Sequence, residues 1–199
     1  MGQRLVVSIK RNLRDEKSLC KIYYHWSGYT SSALDETLQI INHLESIEDI
    51  KKVSDKQIQL SLIRFCESNG GGIDGGEDFD FIEKYFPDEI FKKQGYSRNN
   101  GLVAISDKDQ EDMQGWSEGD VEIGINDRKV SFHVDGYVGQ TEDEVKAEYE
   151  DTNFDGVINL KHDIEDCSYE QFADIYDQLT EKEGSIFKNV DGAYYSFIY

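Results

Sequence analysis

The hydrophobic pattern changes period between residues 26 and 34, and that change restricts the fold more than any other feature of the chain. Leu5, Val7 and Ile9 alternate with Arg4, Ser8 and Lys10, so one side of an N-terminal strand is apolar. A polar segment, residues 11–18, follows. Alternation then returns from Leu19 to Trp26, with Cys20, Ile22, Tyr24 and Trp26 on one side. Two alternating runs joined by a polar turn predict a hairpin. From Ser32 the spacing becomes helical. Leu34, Leu38, Ile41, Leu44 and Ile47 form a stripe, and Ser32 with Asp35 three residues on serves as its cap. A sheet with one apolar face followed by a helix with one apolar stripe buries the two against each other, which predicts the α+β class.

The same signals recur. Ser54 and Gln57 make a capping box before a stripe of Ile58, Leu62, Phe65 and Cys66, and Asn69-Gly70 ends that helix. Residues 70–78 read as a glycine-rich connector without the strand lead-in or the GK[ST] that a phosphate loop needs. Phe79, Ile82, Tyr85 and Phe86 predict a short helix before Pro87. Strands are predicted at 102–106, 121–125 and 129–134, with a turn at Asn126-Asp127. Thr141 with Glu144, and Ser168 with Gln171, cap two further helices, and 194–199 reads as a terminal strand.

Both halves contain hairpin, His-x-[Ser/Asp]-Gly-Tyr, helix: His25-Trp26-Ser27-Gly28-Tyr29 in one and His133-Val134-Asp135-Gly136-Tyr137 in the other. Two such ββα units side by side would be pseudo-repeats, residues 1–100 and 101–199, of one domain. The expected architecture is α+β, an antiparallel sheet of about five or six strands with four main helices, mostly on one face. By alternation His25 and His133 point opposite to Trp26 and Val134, which leaves the histidines outside the core.

Charge narrows the function. Among 199 residues, 41 acids face 21 bases, for a net of −20. Residues 1–100 carry 16 acids and 14 bases, and residues 101–199 carry 25 and 7, so the second half alone is −18. That sign repels nucleic acid and anionic membranes and attracts cations and basic protein surfaces. No apolar run approaches the ~18 residues of a membrane span. Three widely spaced cysteines, Cys20, Cys66 and Cys167, fit a reducing cytoplasm.

One segment has metal-ligand spacing. In residues 151–163, DTNFDGVINLKHD, Asp151, Asn153, Asp155 and Asn159 offer side-chain oxygens at alternate positions of a tight coil. Val157 would offer its carbonyl, and Gly156 permits the bend. The loop resembles those of EF-hand and dockerin proteins, which implies calcium. It departs from them where the clamping acid belongs: His162 stands there and Asp163 follows one residue late. His25, His133, His162 and Cys167 form an alternative, softer set that would suit zinc. A third reading has no cation, the Asp/Asn/Gly turn bonding its own backbone.

No H-E-x-x-H occurs, and the one G-x-S-x-G spacing, Gly115-Trp116-Ser117-Glu118-Gly119, falls within the 107–120 loop and not directly after a predicted strand, as a nucleophile elbow requires. A binding role is therefore favoured over an enzyme, with a metal-dependent hydrolase or calcium-binding accessory module as the alternative. Trp116, between Asp112 and Glu118, is the expected partner anchor, or else a core residue under a 107–120 loop. The start Met-Gly-Gln-Arg, the run Tyr23-Tyr24-His25-Trp26-Ser27-Gly28-Tyr29, residues 101–106 and the segment around Trp116 resemble a group of uncharacterised phage and prophage proteins. The resemblance implies a mobile-element setting, in which small acidic proteins of the anti-CRISPR kind block nucleases. The expected partner is thus a basic, nucleic-acid-handling protein such as a Cas9-type nuclease, met in the host cytoplasm without direct contact to nucleic acid.

Overall fold

A computed structural model describes residues 4–28, 30–73, 80, 83–85, 87, 100–134 and 163–181. The first alternating runs form β1 (Leu5–Lys10) and β2 (Cys20–Tyr24), an antiparallel hairpin with Val7 opposite Ile22. Helix α1 (Thr30–Glu45) follows, then a 3-10 turn (Ile50–Lys52) and α2 (Asp55–Ser68). The Ser54/Gln57 capping box is present in full. Beyond them come β3 (Gly72–Ile73), β4 (Leu102–Ala104), α3 (Asp107–Gln114), β5 (Gly119–Gly124), β6 (Lys129–Val134), β7 (Asp163–Ser168) and α4 (Tyr169–Glu181).

The strands form a seven-stranded sheet in the order β3-β4-β2-β1-β5-β6-β7. It is mixed rather than antiparallel. β1 runs parallel to β5 and β3 runs parallel to β4. The α+β class stands, while the wholly antiparallel sheet of five or six strands is corrected. The two predicted hairpins, β1–β2 and β5–β6, lie side by side through the β1–β5 pairing. The helix of the second ββα unit, the 194–199 strand and most of the helix proposed for 79–86 lie outside the described residues.

Alternation decides which side chains meet. Leu5, Val7 and Ile9 of β1, Cys20, Ile22 and Tyr24 of β2, Val121 and Ile123 of β5 and Val130, Phe132 and Val134 of β6 are buried in one cluster. Ala33, Leu34, Ile40, Ile41 and Leu44 of α1, Ile58, Leu62, Ile63 and Cys66 of α2 and Phe172 of α4 belong to the same cluster. Each fully buried side chain of this kind contributes roughly 1.5–3 kcal/mol. Helices α1, α2 and α4 thus cover one face. On the other, α3 seats Met113 against Val6, Tyr23, Leu102 and Ala104, a smaller apolar patch.

Five local expectations change. Helix α1 begins at Thr30, so Ser32 is its third residue and not its cap. Strand β2 stops at Tyr24, so Trp26 leaves the alternation and is 36% exposed instead of core. The glycine connector contains β3: Gly71 lets the backbone come so near Gly101 that an added Cβ would lie 1.9 Å from its carbonyl oxygen. The 107–120 segment is mostly helix, entered by Ser106, whose Oγ accepts from the Asp109 N–H at 3.1 Å. Asp163 starts β7, which a bulge interrupts near Asp166, a residue with φ 51.

Candidate functional site

The sheet face on which α3 packs holds the chemistry. Along β2 the residues on this side are Lys21 and Tyr23, followed by His25 just past the strand. Tyr23 is buried under α3, and its hydroxyl lies 2.8 Å from His25 Nδ1. The ring of Trp26 meets His25 edge-on with centroids 4.9 Å apart. On the other side of Tyr23, the Trp116 ring stands edge-on at 6.1 Å. Four rings therefore run Trp26, His25, Tyr23, Trp116, in T-shaped or tilted contacts of favourable geometry. The outer two are exposed, Trp116 by 45%.

Acids flank Trp116 in sequence. Asp112 and Glu111 are exposed on α3, and Glu118 is exposed after it. Glu118 Oε2 accepts the Arg4 backbone N–H at 2.9 Å, which holds the segment carrying Trp116 against the start of β1. Ser117 Oγ donates to Asp120 Oδ1 at 2.8 Å and fixes the same segment to β5.

Beyond α3 the sheet face opens into a polar trough. Two adjoining hollows of about 360 and 300 Å³ share Lys10, Glu122 and His133 as lining residues. Lys10 lies at the floor with its side chain 11% exposed, paired to Glu122 at 2.6 Å. Lys21 donates to Gln114 Oε1 at 2.6 Å, and Gln114 Nε2 donates to Asp120 Oδ1 at 2.6 Å. Burial lowers the pKa of Lys21, with Asp120 opposing. Ser131 Oγ and His133 Nε2 are 2.9 Å apart on β6, and the β7 bulge brings Asp166 to Arg14 at the rim. Lys10 with Glu122, Arg14 with Asp166, and Lys21 near Asp120 set opposite charges against each other, so the trough mixes both signs in a strongly acidic chain.

A further titratable group lies under the loop that presents Trp26. Glu36 of α1 accepts from Ser27 Oγ at 3.4 Å and from the buried Tyr24 hydroxyl. Desolvation, then the neighbouring Asp35, push its carboxyl up to about 7.

The residues singled out from the sequence scatter. Asp112, Trp116 and Glu118 gather around α3 as expected, and Trp116 is a surface residue with one edge on Tyr23. His25 and His133 are not brought together. His133 lies on β6 and His25 just past the end of β2, two strands separated by β1 and β5, about 14 Å at ~4.8 Å per strand. Cys167, paired with Val130, is buried on the helix-covered side, where desolvation raises its thiol to about 11. Asp163 sits opposite His133 in the β6–β7 register. Asp151, Asn153, Asp155, Val157, Asn159 and His162 lie outside the described residues. Among the described residues no group of three or more His, Cys, Asp or Glu could hold a metal ion, and no helix is long and apolar enough to cross a membrane. Trp26 was missed from the sequence. Its signal was the tryptophan itself, one position past a strand whose end the alternation did not mark.

No protein-family model, curated protein or solved structure matches the chain.

Proposed function

We propose that this is an acidic binding protein that occupies a basic, nucleic-acid-binding surface of a partner, as a phage-type inhibitor of a Cas9-type nuclease would. The observation that carries the reading is Trp116, 45% exposed, with exposed Asp112 and Glu118 near it in sequence. It stands in the half of the chain with a net charge of −18. Tryptophan is among the residues enriched at interface hot spots, and a surrounding field of one sign speeds encounter with a partner of the other. The proposed setting is the cytoplasm, which is consistent with three free, buried cysteines.

The test is competition. The purified protein is added to a basic nuclease, and nucleic-acid binding and association rate are followed as salt rises through ~0.1 M, where screening sets in near 10 Å. Displacement of nucleic acid and an association rate that falls with salt are expected. Trp116→Ala should weaken the complex by ~2 kcal/mol or more while leaving stability nearly unchanged. Equal rates at low and high salt, with the partner held by residues 1–100 alone, would overturn the reading.

A further inference from the structure

We propose that the four-ring strip Trp26–His25–Tyr23–Trp116 is a docking surface for arginine side chains of a basic protein. The inference rests on the binding reading above and names the chemistry it recognises.

Three observations converge. First, the strip joins the two halves of the chain. Trp26 and His25 follow β2, Trp116 follows α3, and Tyr23 links them with centroid distances of 6.1 Å on either side. Second, the chain has two tryptophans, and both are at the exposed ends of this strip. Tryptophan is usually well covered in a folded protein, so two exposed rings on one strip mark a contact surface rather than chance. Third, Glu111, Asp112 and Glu118, within five residues of Trp116 in sequence, are exposed.

The combination selects the occupant. An apolar partner would match the rings but would strip water from the carboxylates without replacing it. Nucleic-acid bases stack on tryptophan, yet their phosphates would face a chain of net −20. A second copy of this chain meets the same repulsion. A guanidinium satisfies both features at once. Its flat face lies on an indole, and its five N–H donors reach carboxylates at the edge. An ammonium supplies the charge without the planar fork, so arginine should outrank lysine at equal charge.

The two tryptophans make the test direct, because intrinsic emission reports from the strip alone. The full chain is titrated at low salt with nona-arginine and with nona-lysine, following tryptophan fluorescence and, independently, calorimetric heat. Nona-arginine is expected to bind about threefold or more tightly than nona-lysine and to shift or quench the emission. Trp26→Leu and Trp116→Leu, checked for folding by circular dichroism, should each reduce that preference, and together abolish it. Asp112→Asn with Glu118→Gln keeps both rings and should weaken both peptides. Equal affinity for the two peptides, unmoved emission on binding, or an arginine preference that survives loss of both tryptophans would overturn the strip as the site. Self-association that buries the tryptophans, seen by sedimentation, would do so too. Failure of the underlying reading looks different: neither peptide would bind at low salt.

Discussion

Glu36→Gln should make the protein more stable, and only above about pH 5. The carboxyl is pushed up to about 7 by burial and by Asp35, from an ordinary glutamate value of 4.5. Between those two values the folded protein keeps a proton that the unfolded chain has released. Stability therefore falls as pH rises through this window, by ~1.4 kcal/mol per pH unit for one group. The whole interval amounts to ~3 kcal/mol, present in full below pH 4.5 and lost above pH 7. Glutamine keeps the shape and one acceptor oxygen, as the protonated acid does, and cannot ionise. The general pH response of so acidic a chain is common to both proteins and cancels in their difference. Urea unfolding of each at pH 4.5, 5.5, 6.5, 7.5 and 8.5 gives that difference by linear extrapolation. Near zero at the lowest pH and a rise to ~3 kcal/mol in favour of the variant at the highest are expected. A difference that stays flat with pH, whatever its size, would show that Glu36 ionises as it does in water and that the reasoning is wrong.

Arg128, with φ 54, pairs with Glu45 and Glu170 at 2.5 Å each and so ties the β5–β6 turn to α1 and α4. Arg128→Ala should cost ~1–2 kcal/mol in thermal or urea unfolding, and Arg128→Gly about 1 kcal/mol less, because glycine tolerates that backbone. Gly71→Ala drives a methyl into the Gly101 carbonyl and should lower stability by ~3 kcal/mol or more, seen as a falling Tm; an unchanged Tm would refute the close approach. Glu122→Ala leaves the Lys10 ammonium at the trough floor without its carboxylate and should cost ~2 kcal/mol, with Lys10→Met plus Glu122→Leu recovering most of it. For the 151–163 loop, the expected result is a calcium-dependent rise in Tm that Asp151→Ala with Asp155→Ala removes; an equal response in both proteins rejects that loop as the site.

Local grammar was the legible part of the fold. The Ser54/Gln57 and Ser168/Gln171 boxes form as read, with Gln171 N donating to Ser168 Oγ at 3.1 Å, because a cap needs residues only three apart. The strands β1, β2, β5 and β6 alternate because one side faces the core. Helix α3, DKDQEDMQ, hid from this grammar: Met113 is its one large apolar residue, so no stripe exists to be seen. Strand β7, DIEDCS, hid for a related reason, since the bulge at Asp166 breaks its alternation and its partner β6 is some thirty residues earlier. In the site, Trp116 and its acids were legible together because they are neighbours in sequence. The link to Trp26 passes through Tyr23 and a helix packed on β2, and no spacing along the chain records it.

The middle strand of the sheet is the first to be synthesised. β1 takes β2 as one neighbour within a dozen residues, but its other neighbour, β5, starts 114 residues later by the Leu5–Gly119 register. At ~5–20 residues per second of synthesis, the open side of β1 waits on the order of ten seconds for its partner to emerge. During that time Val7 and Ile9 border an unpaired hydrogen-bonding edge, an invitation to any other extended chain nearby. Slowing translation between residues 10 and 119 should therefore lengthen the vulnerable period and raise the aggregated fraction of newly made protein, while leaving the refolding yield of the finished chain untouched.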